Sequence, residues 1–157
     1  PIRVDTLPGA QFRYSGGGIS IAQQVAADVL KTRFSEIAYE WALKPLGMTR
    51  SMYCNNSEKV ARRASGYGMR SGTPSLVPPI VHTGTYAAGA LCSTAKDMIK
   101  WLQALHGGKV LTPKSYVEMT TPSKLNDGTP LRYSMGLVVG EDGSGLRFIG
   151  HGGGGFG

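Results

Sequence analysis

The spacing of the apolar residues changes along this chain of 157 residues, and that change restricts what the chain can fold into. In three stretches before residue 106, apolar residues recur every three or four positions, as on helices with one apolar face. After residue 130 the pattern changes to that of short strands. A chain with its helices first and its sheet last predicts an α+β fold.

The helical stretches predict helices near 19–31, from 34 to just before Pro45, and over 94–105, with a shorter helix beginning at Thr112-Pro113. Ser15–Gly18 is predicted as a glycine-rich loop. Thr94 and Asp97 have the spacing of a capping box. The apolar positions that carry the three longer predictions are Ile19, Ala22, Val25, Ala26, Val29 and Leu30; Phe34, Ile37, Ala38, Trp41 and Ala42; and Met98, Trp101, Leu102 and Leu105.

Two segments near the end of the sequence predict strands. Leu131–Val139 and Leu146–Ile149 fit this pattern, and Glu141–Gly145 is predicted as the hairpin loop between them. Residues 50–86 contain many glycines and prolines and are predicted to be irregular. A loop of that length in a small domain usually has a function or covers a core.

Charge and composition exclude several classes of protein. The net charge is +7, but the basic residues are scattered, and no phosphate loop or RNA-binding motif accompanies them, so we expect no nucleic-acid partner. No apolar run approaches the ~20 residues that span a bilayer. Cys54 and Cys92 fit no zinc-binding spacing, so we expect no metal, and their spacing does not reveal whether they pair.

Several short motifs follow one another in a fixed order. The first contains Phe12, Tyr14 and Ser15 behind a Pro-Gly turn, and the last is a glycine-rich segment behind a predicted hairpin. In full, the order is Pro8-Gly9-x-x-Phe12-x-Tyr14-Ser15, a helix, Pro45-Leu46-Gly47-Met48, Ala88-Gly89-x-x-x-Ser93-Thr94-Ala95-x-Asp97, a hairpin, and His151-Gly152-Gly153. This order resembles the serine β-lactamase and penicillin-binding-protein-like hydrolases, in particular the branch of class C β-lactamases, esterases and D-aminopeptidases.

The resemblance implies part of a β-lactamase/transpeptidase-like fold, a helical lobe followed by the start of an antiparallel sheet. It implies a hydrolase that opens an ester or amide bond through an acyl-serine, with no cofactor and with a small-molecule or peptide-like substrate. It also favours a periplasmic or secreted location. In this family the nucleophile belongs to a Ser-x-x-Lys motif, a tyrosine relays the proton, and a Lys-Thr-Gly-like segment holds the substrate.

The resemblance also implies roles for particular residues. Tyr14 matches the proton-relay tyrosine, and because a phenol titrates near pH ~10 it would need a neighbouring cation to act as a base. Ser15 and Gly16 continue that loop, and Gly16 stands where the family usually has Asn, which puts recognition of an acyl-amide substrate in doubt. At the other end of the chain, His151, Gly152 and Gly153 match the substrate-binding segment, and the N–H of Gly154 is the candidate oxyanion donor.

Three other segments have alternative interpretations. Ser93-Thr94-Ala95-Lys96 is formally a Ser-x-x-Lys motif, but a helix start explains it without chemistry. His82-Thr83-Gly84 resembles Lys-Thr-Gly but lies in the long loop. His151–Gly154 also resembles the oxyanion loop of α/β-hydrolase lipases, although no Gly-x-Ser-x-Gly segment follows it.

We therefore expect residues 1–157 to be a single incomplete domain, an interior piece of a longer protein. Residues 1–125 would form most of a helical lobe, and residues 126–157 would begin the C-terminal antiparallel sheet. With no credible nucleophile, the chain alone is predicted to be inactive. The alternative is a non-catalytic binding protein that retains the fold. The substrate and the oligomeric state stay open.

Overall fold

Helices and short antiparallel strands make up the computed structural model of the protein, which describes residues 3–53, 60–78 and 86–154. The chain divides into two compact units. The first contains Pro1–Ser15 and Leu105–Gly152, and the second contains Gly16–Ala104 and Gly153–Gly157.

The second unit begins with helix α1, Gly16–Leu30. The helix ends because Lys31 takes a left-handed conformation with φ 53°, and the N–H of Thr32 then donates to the carbonyl of Ala27 at 3.2 Å. The prediction of a loop over Ser15–Gly18 was wrong in part, since the three glycines form the first turn of α1. Their low helix propensity hid a helix that other contacts stabilise. Among these is Gln23, which is buried and accepts a hydrogen bond from the backbone of Ala87 at 2.8 Å.

The second predicted helix is present, but its two halves differ in winding. Helix α2 covers Phe34–Ala38, and a π-helical turn continues it over Tyr39–Leu43. As predicted, the helix ends before Pro45. Leu43 and Met48 are buried, and the N–H of Met48 donates to the carbonyl of Leu43 at 2.9 Å.

The described part of residues 50–86, which covers 50–53, 60–78 and Tyr86, is more regular than predicted. Strand β2, Gly66–Arg70, pairs antiparallel with strand β3, Thr73–Val77, through a tight turn at Ser71-Gly72. The prediction of irregular structure was therefore wrong for this hairpin. Its strands contain two glycines, a proline and polar residues, so they lack the alternation by which strands are recognised.

Two further short strands precede helix α3. Strand β1, Met52–Tyr53, pairs antiparallel with strand β4, Leu91–Cys92. A 3-10 turn at Tyr86–Ala88 comes just before β4 in the sequence. Helix α3, Ala95–His106, follows and confirms the predicted helix. Cys92 is disulfide-bonded, whereas Cys54 lies outside the described residues.

The first unit contains helix α4 and a three-stranded sheet. Helix α4 covers Pro113–Thr120, and the Thr112 side chain caps it by accepting the N–H of Ser115 at 3.2 Å. The antiparallel sheet has the order β5-β6-β7. Its strands are Tyr133–Ser134, Leu137–Glu141 and Arg147–Gly150.

The single strand predicted over Leu131–Val139 was wrong, because a turn at Met135-Gly136 divides it into β5 and β6. Gly136 has φ 84°, a conformation that favours glycine, and this allows the chain to reverse there. The predicted hairpin between β6 and β7 is confirmed. The carboxylate of Asp142 holds its loop by accepting the N–H groups of Ser144 and Leu146 at 2.8 and 3.0 Å.

Many apolar side chains of the helices are exposed. Val25, Val29 and Trp41 are 56%, 73% and 71% exposed, although they lie on the faces that the sequence marked as apolar. The amphipathic pattern thus predicts the helices, but the apolar faces that it marks are not buried in this structure. Within the described part of the chain, no helix has both the length and the apolar character that crossing a membrane requires.

Candidate functional site

The segment that carries Tyr14 is anchored to the loop before β5. The turn at Leu7–Ala10 is present as predicted. Gly9, with φ 81°, accepts the N–H of Asn126 at 2.9 Å, and the Asn126 side chain donates to the carbonyl of Pro8 at 2.8 Å. A Cβ on Gly9 would lie 2.2 Å from the Asn126 side chain, so both the conformation and the close approach require glycine.

The register of the sheet places His151. Val138 of β6 pairs with Tyr133 of β5 on one side and with Gly150 of β7 on the other. Tyr133 and Gly150 therefore lie in one row across the sheet, and His151 follows directly after that row.

These two segments bring four aromatic rings together within the first unit. The ring centroids of Tyr14 and His151 lie 5.8 Å apart, and Tyr133 contacts both, at 6.0 Å from Tyr14 and 5.9 Å from His151. The ring of Phe12 packs on Tyr133 at 5.4 Å. Two of the residues predicted for the site, which are 137 positions apart in sequence, are thus neighbours.

Tyr133 is a member of this cluster that the sequence analysis missed. Its hydroxyl lies 3.1 Å from Nε2 of His151, and Nδ1 of His151 is hydrogen-bonded to the carbonyl of Gly152. The signal for Tyr133 was weak, because it depends on how β5 aligns with β7. Neither the position of the turn at Met135-Gly136 nor that alignment was predicted.

The hydroxyl of Tyr14 is accessible. The residue is 63% exposed, and within residues 3–53, 60–78 and 86–154 its hydroxyl makes no hydrogen bond. No cationic side chain of these ranges is hydrogen-bonded to it either. Tyr14 is thus held by ring contacts, and its hydroxyl is free to meet a group brought to it.

The remaining predicted residues flank Tyr14 and His151 in sequence, and all of them except the half-buried Gly16 are exposed. Ser15 is exposed and leads directly into α1, where Gly16 offers no side-chain amide. A Cβ on Gly16 would meet only the Cβ of Ala88, at 3.9 Å, so a side chain would fit there. Gly152, Gly153 and Gly154 are exposed, with open space where a Cβ would lie.

The Ser93-x-x-Lys96 segment has a different set of partners from those that a nucleophile would need. The Ser93 hydroxyl lies 2.7 Å from the Ser51 hydroxyl, which donates to the buried carboxylate of Asp97 at 3.0 Å. Lys96 is exposed, and the lysine that reaches Asp97 is Lys100, at 2.8 Å. The backbone N–H of Asp97 is capped by the Thr94 side chain at 3.3 Å, as the sequence predicted.

The segment His82–Gly84, which resembles Lys-Thr-Gly, lies outside the described residues.

A separate open cavity lies in the second unit. Its volume is about 990 Å³, and its lining contains none of the predicted site residues. Phe34, Tyr53 and Tyr86 form an aromatic row along it, with centroids 5.4 and 6.1 Å apart. Burial raises the pKa of the Tyr53 phenol, so this tyrosine stays protonated at neutral pH.

In the described part of the chain no cluster of His, Cys, Asp and Glu side chains could hold a metal ion.

The chain is similar to several known proteins along most of its length. It is 32% identical over 133 residues to the "Putative penicillin-binding protein PbpX" of Bacillus subtilis (strain 168), a match that covers 84% of this chain and 32% of that protein. It is 24% identical over 146 residues to a D-aminopeptidase of Brucella anthropi, covering 93% of this chain and 28% of that enzyme. The chain thus spans about a third of the length of these relatives.

Solved structures share the fold. A D-stereospecific amidohydrolase from a Streptomyces species superposes with a TM-score of 0.82 at 24% identity, over 97% of this chain and 46% of that one. A D-amino acid amidase from Ochrobactrum anthropi SV3, complexed with L-phenylalanine amide, gives a TM-score of 0.71 at 26% identity, over 90% and 43% of the two chains. These matches confirm the α+β, β-lactamase/transpeptidase-like fold that the sequence predicted.

The Beta-lactamase family model matches residues 2–157, almost the whole chain. This match agrees with the order of the motifs, with the penicillin-binding-protein-like and D-aminopeptidase relatives and with the fold. The chain belongs to the Beta-lactamase family.

Proposed function

We propose that this chain is part of a serine hydrolase that cleaves an ester or amide bond through an acyl-serine intermediate. The observation that carries the proposal is the contact of Tyr14 with His151, which joins the two ends of a predicted site in a member of the Beta-lactamase family. Relatives named as an aminopeptidase and an amidase support hydrolysis of an amide. The substrate is a small molecule or a peptide-like compound.

In this proposal Tyr14 relays the proton between the nucleophile and the leaving group. A free, exposed hydroxyl suits that task because it can contact both groups. A phenol needs a neighbouring cation to act as a base near neutral pH. That cation would be the lysine of the Ser-x-x-Lys motif.

The nucleophile itself is proposed to lie outside these 157 residues. Ser93 is the formal candidate within the chain, but its hydroxyl is paired with Ser51 and its motif lysine, Lys96, points to no partner among the described residues. The chain alone would accordingly be inactive.

The other site residues would bind substrate. His151, Gly152 and Gly153 would border the substrate along the end of β7, and the N–H of Gly154 would stabilise the oxyanion. Ser15 and Gly16 would border it at the start of α1. Since one family model spans residues 2–157, we also propose that the helices up to residue 125 and the sheet from 126 onwards belong to one domain.

The role of Tyr14 is tested by Tyr14→Phe, which keeps the ring and removes the hydroxyl. In the complete hydrolase we expect kcat/KM for a p-nitrophenyl ester to fall on the order of 10²–10⁴-fold, the usual contribution of a positioned acid or base. Tyr67→Phe is the matched control, because Tyr67 is similarly exposed, at 65%, on strand β2. Equal activity of the two variants would show that the Tyr14 hydroxyl has no catalytic role.

A second function is favoured by one observation. Gly16 supplies no side-chain amide. A side chain would fit at this position, so packing does not require glycine there. This suits a binding protein that retains the fold without catalysis. The two proposals differ in whether the protein forms a covalent adduct with a serine-directed reagent.

A further inference from the structure

Tyr133 occupies the centre of the aromatic cluster. Its ring meets the ring of Tyr14 edge-on, at an interplanar angle of 90°, and the ring of His151 at 75°. Phe12 packs on it from another direction at 5.4 Å. A half-buried ring with three aromatic neighbours has little freedom to turn, so its hydroxyl is held in place.

The backbone fixes the same residue. Tyr133 pairs with Val138 in the sheet, and its carbonyl accepts the N–H of Ser123 at 3.2 Å. The row that contains Tyr133 and Val138 ends at Gly150, the residue before His151. The sheet therefore sets the distance between the Tyr133 hydroxyl and the His151 ring.

The contact of His151 with Gly152 places a proton on Nδ1 of the ring. A backbone carbonyl only accepts, so the bond between Nδ1 and the carbonyl of Gly152 requires a proton on Nδ1. In the neutral ring Nε2 is then an acceptor, and the Tyr133 hydroxyl at 3.1 Å donates to it. Partial burial, with a smaller effect from Tyr14, raises the pKa of Tyr133, which keeps that hydroxyl protonated.

We infer that Tyr133 is a positioning residue that holds the His151 ring with a proton on Nδ1 and with both ring nitrogens occupied. His151 then offers no free hydrogen-bond donor at the position where a lysine would offer one. Given the proposed hydrolase function, this end of the site would accept an uncharged part of the substrate rather than a carboxylate.

The tautomer is measurable without any activity. ¹⁵N–¹H correlation spectra of the histidine side chains, recorded at about pH 8.5 to keep ordinary histidines neutral, should show the proton of His151 on Nδ1. Tyr133→Phe should move His151 towards the Nε2–H tautomer. Tyr116→Phe is the matched control, since its hydroxyl lies 3.0 Å from Nδ1 of His106 and its loss should change only that histidine.

Two results would overturn the inference: a proton on Nε2 of His151 in the unsubstituted protein, or ¹⁵N shifts of His151 that Tyr133→Phe leaves unchanged. If Tyr133→Phe fails to fold, the unsubstituted protein still decides, because a coupling between the Tyr133 hydroxyl proton and Nε2 must be present. None of these readings requires hydrolysis, so they can fail independently of the proposed function.

A kinetic readout completes the test in an active hydrolase. Loss of one hydrogen bond that orients His151 should lower kcat/KM for a neutral ester by up to about tenfold. The same variant should lose less, or gain, with an ester that carries a carboxylate next to the reacting carbonyl. An equal loss for both esters would contradict the assigned substrate preference.

Discussion

At the scale of single residues, Asp97 is a buried carboxylate that accepts hydrogen bonds from three donors of the described chain. It is 2% exposed and accepts hydrogen bonds from the N–H of Arg50 at 2.8 Å and from the hydroxyl of Ser51 at 3.0 Å. Lys100 bonds both to it and to the carbonyl of Gly47. One carboxylate thereby connects the segment after the π-helical turn to the first turn of α3.

Asp97 should make stability depend on pH. Its bond to Lys100, followed by those to Arg50 and Ser51, lowers its pKa below the ordinary 3.8. Because the pKa of Asp97 is lower in the folded than in the unfolded protein, its ionised carboxylate stabilises the fold in full above about pH 3.8. This stabilisation is lost as the pH falls through the pKa of Asp97 in the folded protein. Asp97→Asn should therefore lower Tm by several degrees at pH 7, and the difference should shrink below pH 3.8.

The control for this measurement is Asp28→Asn, on the exposed side of α1, which should change stability by less than about 0.5 kcal/mol. A Tm difference between the Asp97 variant and the unsubstituted protein that is the same at pH 7 and pH 3 would contradict the assignment.

The sequence identifies some residues of the site and not others, for a physical reason. Tyr14 and His151 belong to short motifs, so their order along the chain was enough to single them out. Tyr133 belongs to no motif, and its place beside His151 depends on the pairing of three strands, which is a long-range property. The burial of Asp97 likewise arises from partners more than 40 positions away.

At the scale of elements, the turn between β5 and β6 determines where Tyr133 lies. Gly136 in that turn has φ 84°, and a side chain there would strain the backbone. Gly136→Ala should cost about 1–2 kcal/mol of unfolding free energy. Gly143→Ala is the matched control in the other loop of the sheet, because Gly143 has open space around it and is not among the residues with positive φ.

Urea denaturation of the two variants measures the difference. If Gly136→Ala and Gly143→Ala are equally stable, the turn does not constrain β5, and the argument that the sheet positions Tyr133 is wrong.

Elements were predicted well where local signals are strong. Helix α3 and the start of α4 follow from apolar spacing, a capping threonine and a proline at the first position. The hairpin β2–β3 and the first turn of α1 were missed, because glycine-rich and polar segments have weak propensities and gain their structure from contacts. The split of Leu131–Val139 was missed because alternation alone does not mark a two-residue turn.

At the scale of the whole molecule, the chain has the family's fold over nearly its full length, yet it spans only 32% and 28% of two curated relatives. Large apolar residues of α1 and of the π-helical turn after α2 are exposed, and exposed apolar patches commonly mark contact surfaces. Motif order predicted the family because several motifs in one order are more specific than any one of them alone. It did not predict the substrate, which depends on the shape of loops.

The central proposal is that this chain is part of an acyl-serine hydrolase whose nucleophile lies outside these 157 residues. The most direct measurement is to treat the complete gene product, and this chain alone, with a fluorophosphonate and to map the modified residue by mass spectrometry. We predict one adduct in the complete product, on the serine of a Ser-x-x-Lys motif, and no adduct on the chain alone. Stoichiometric labelling of Ser93 or Ser15, or no labelling of the complete product at all, would contradict the account.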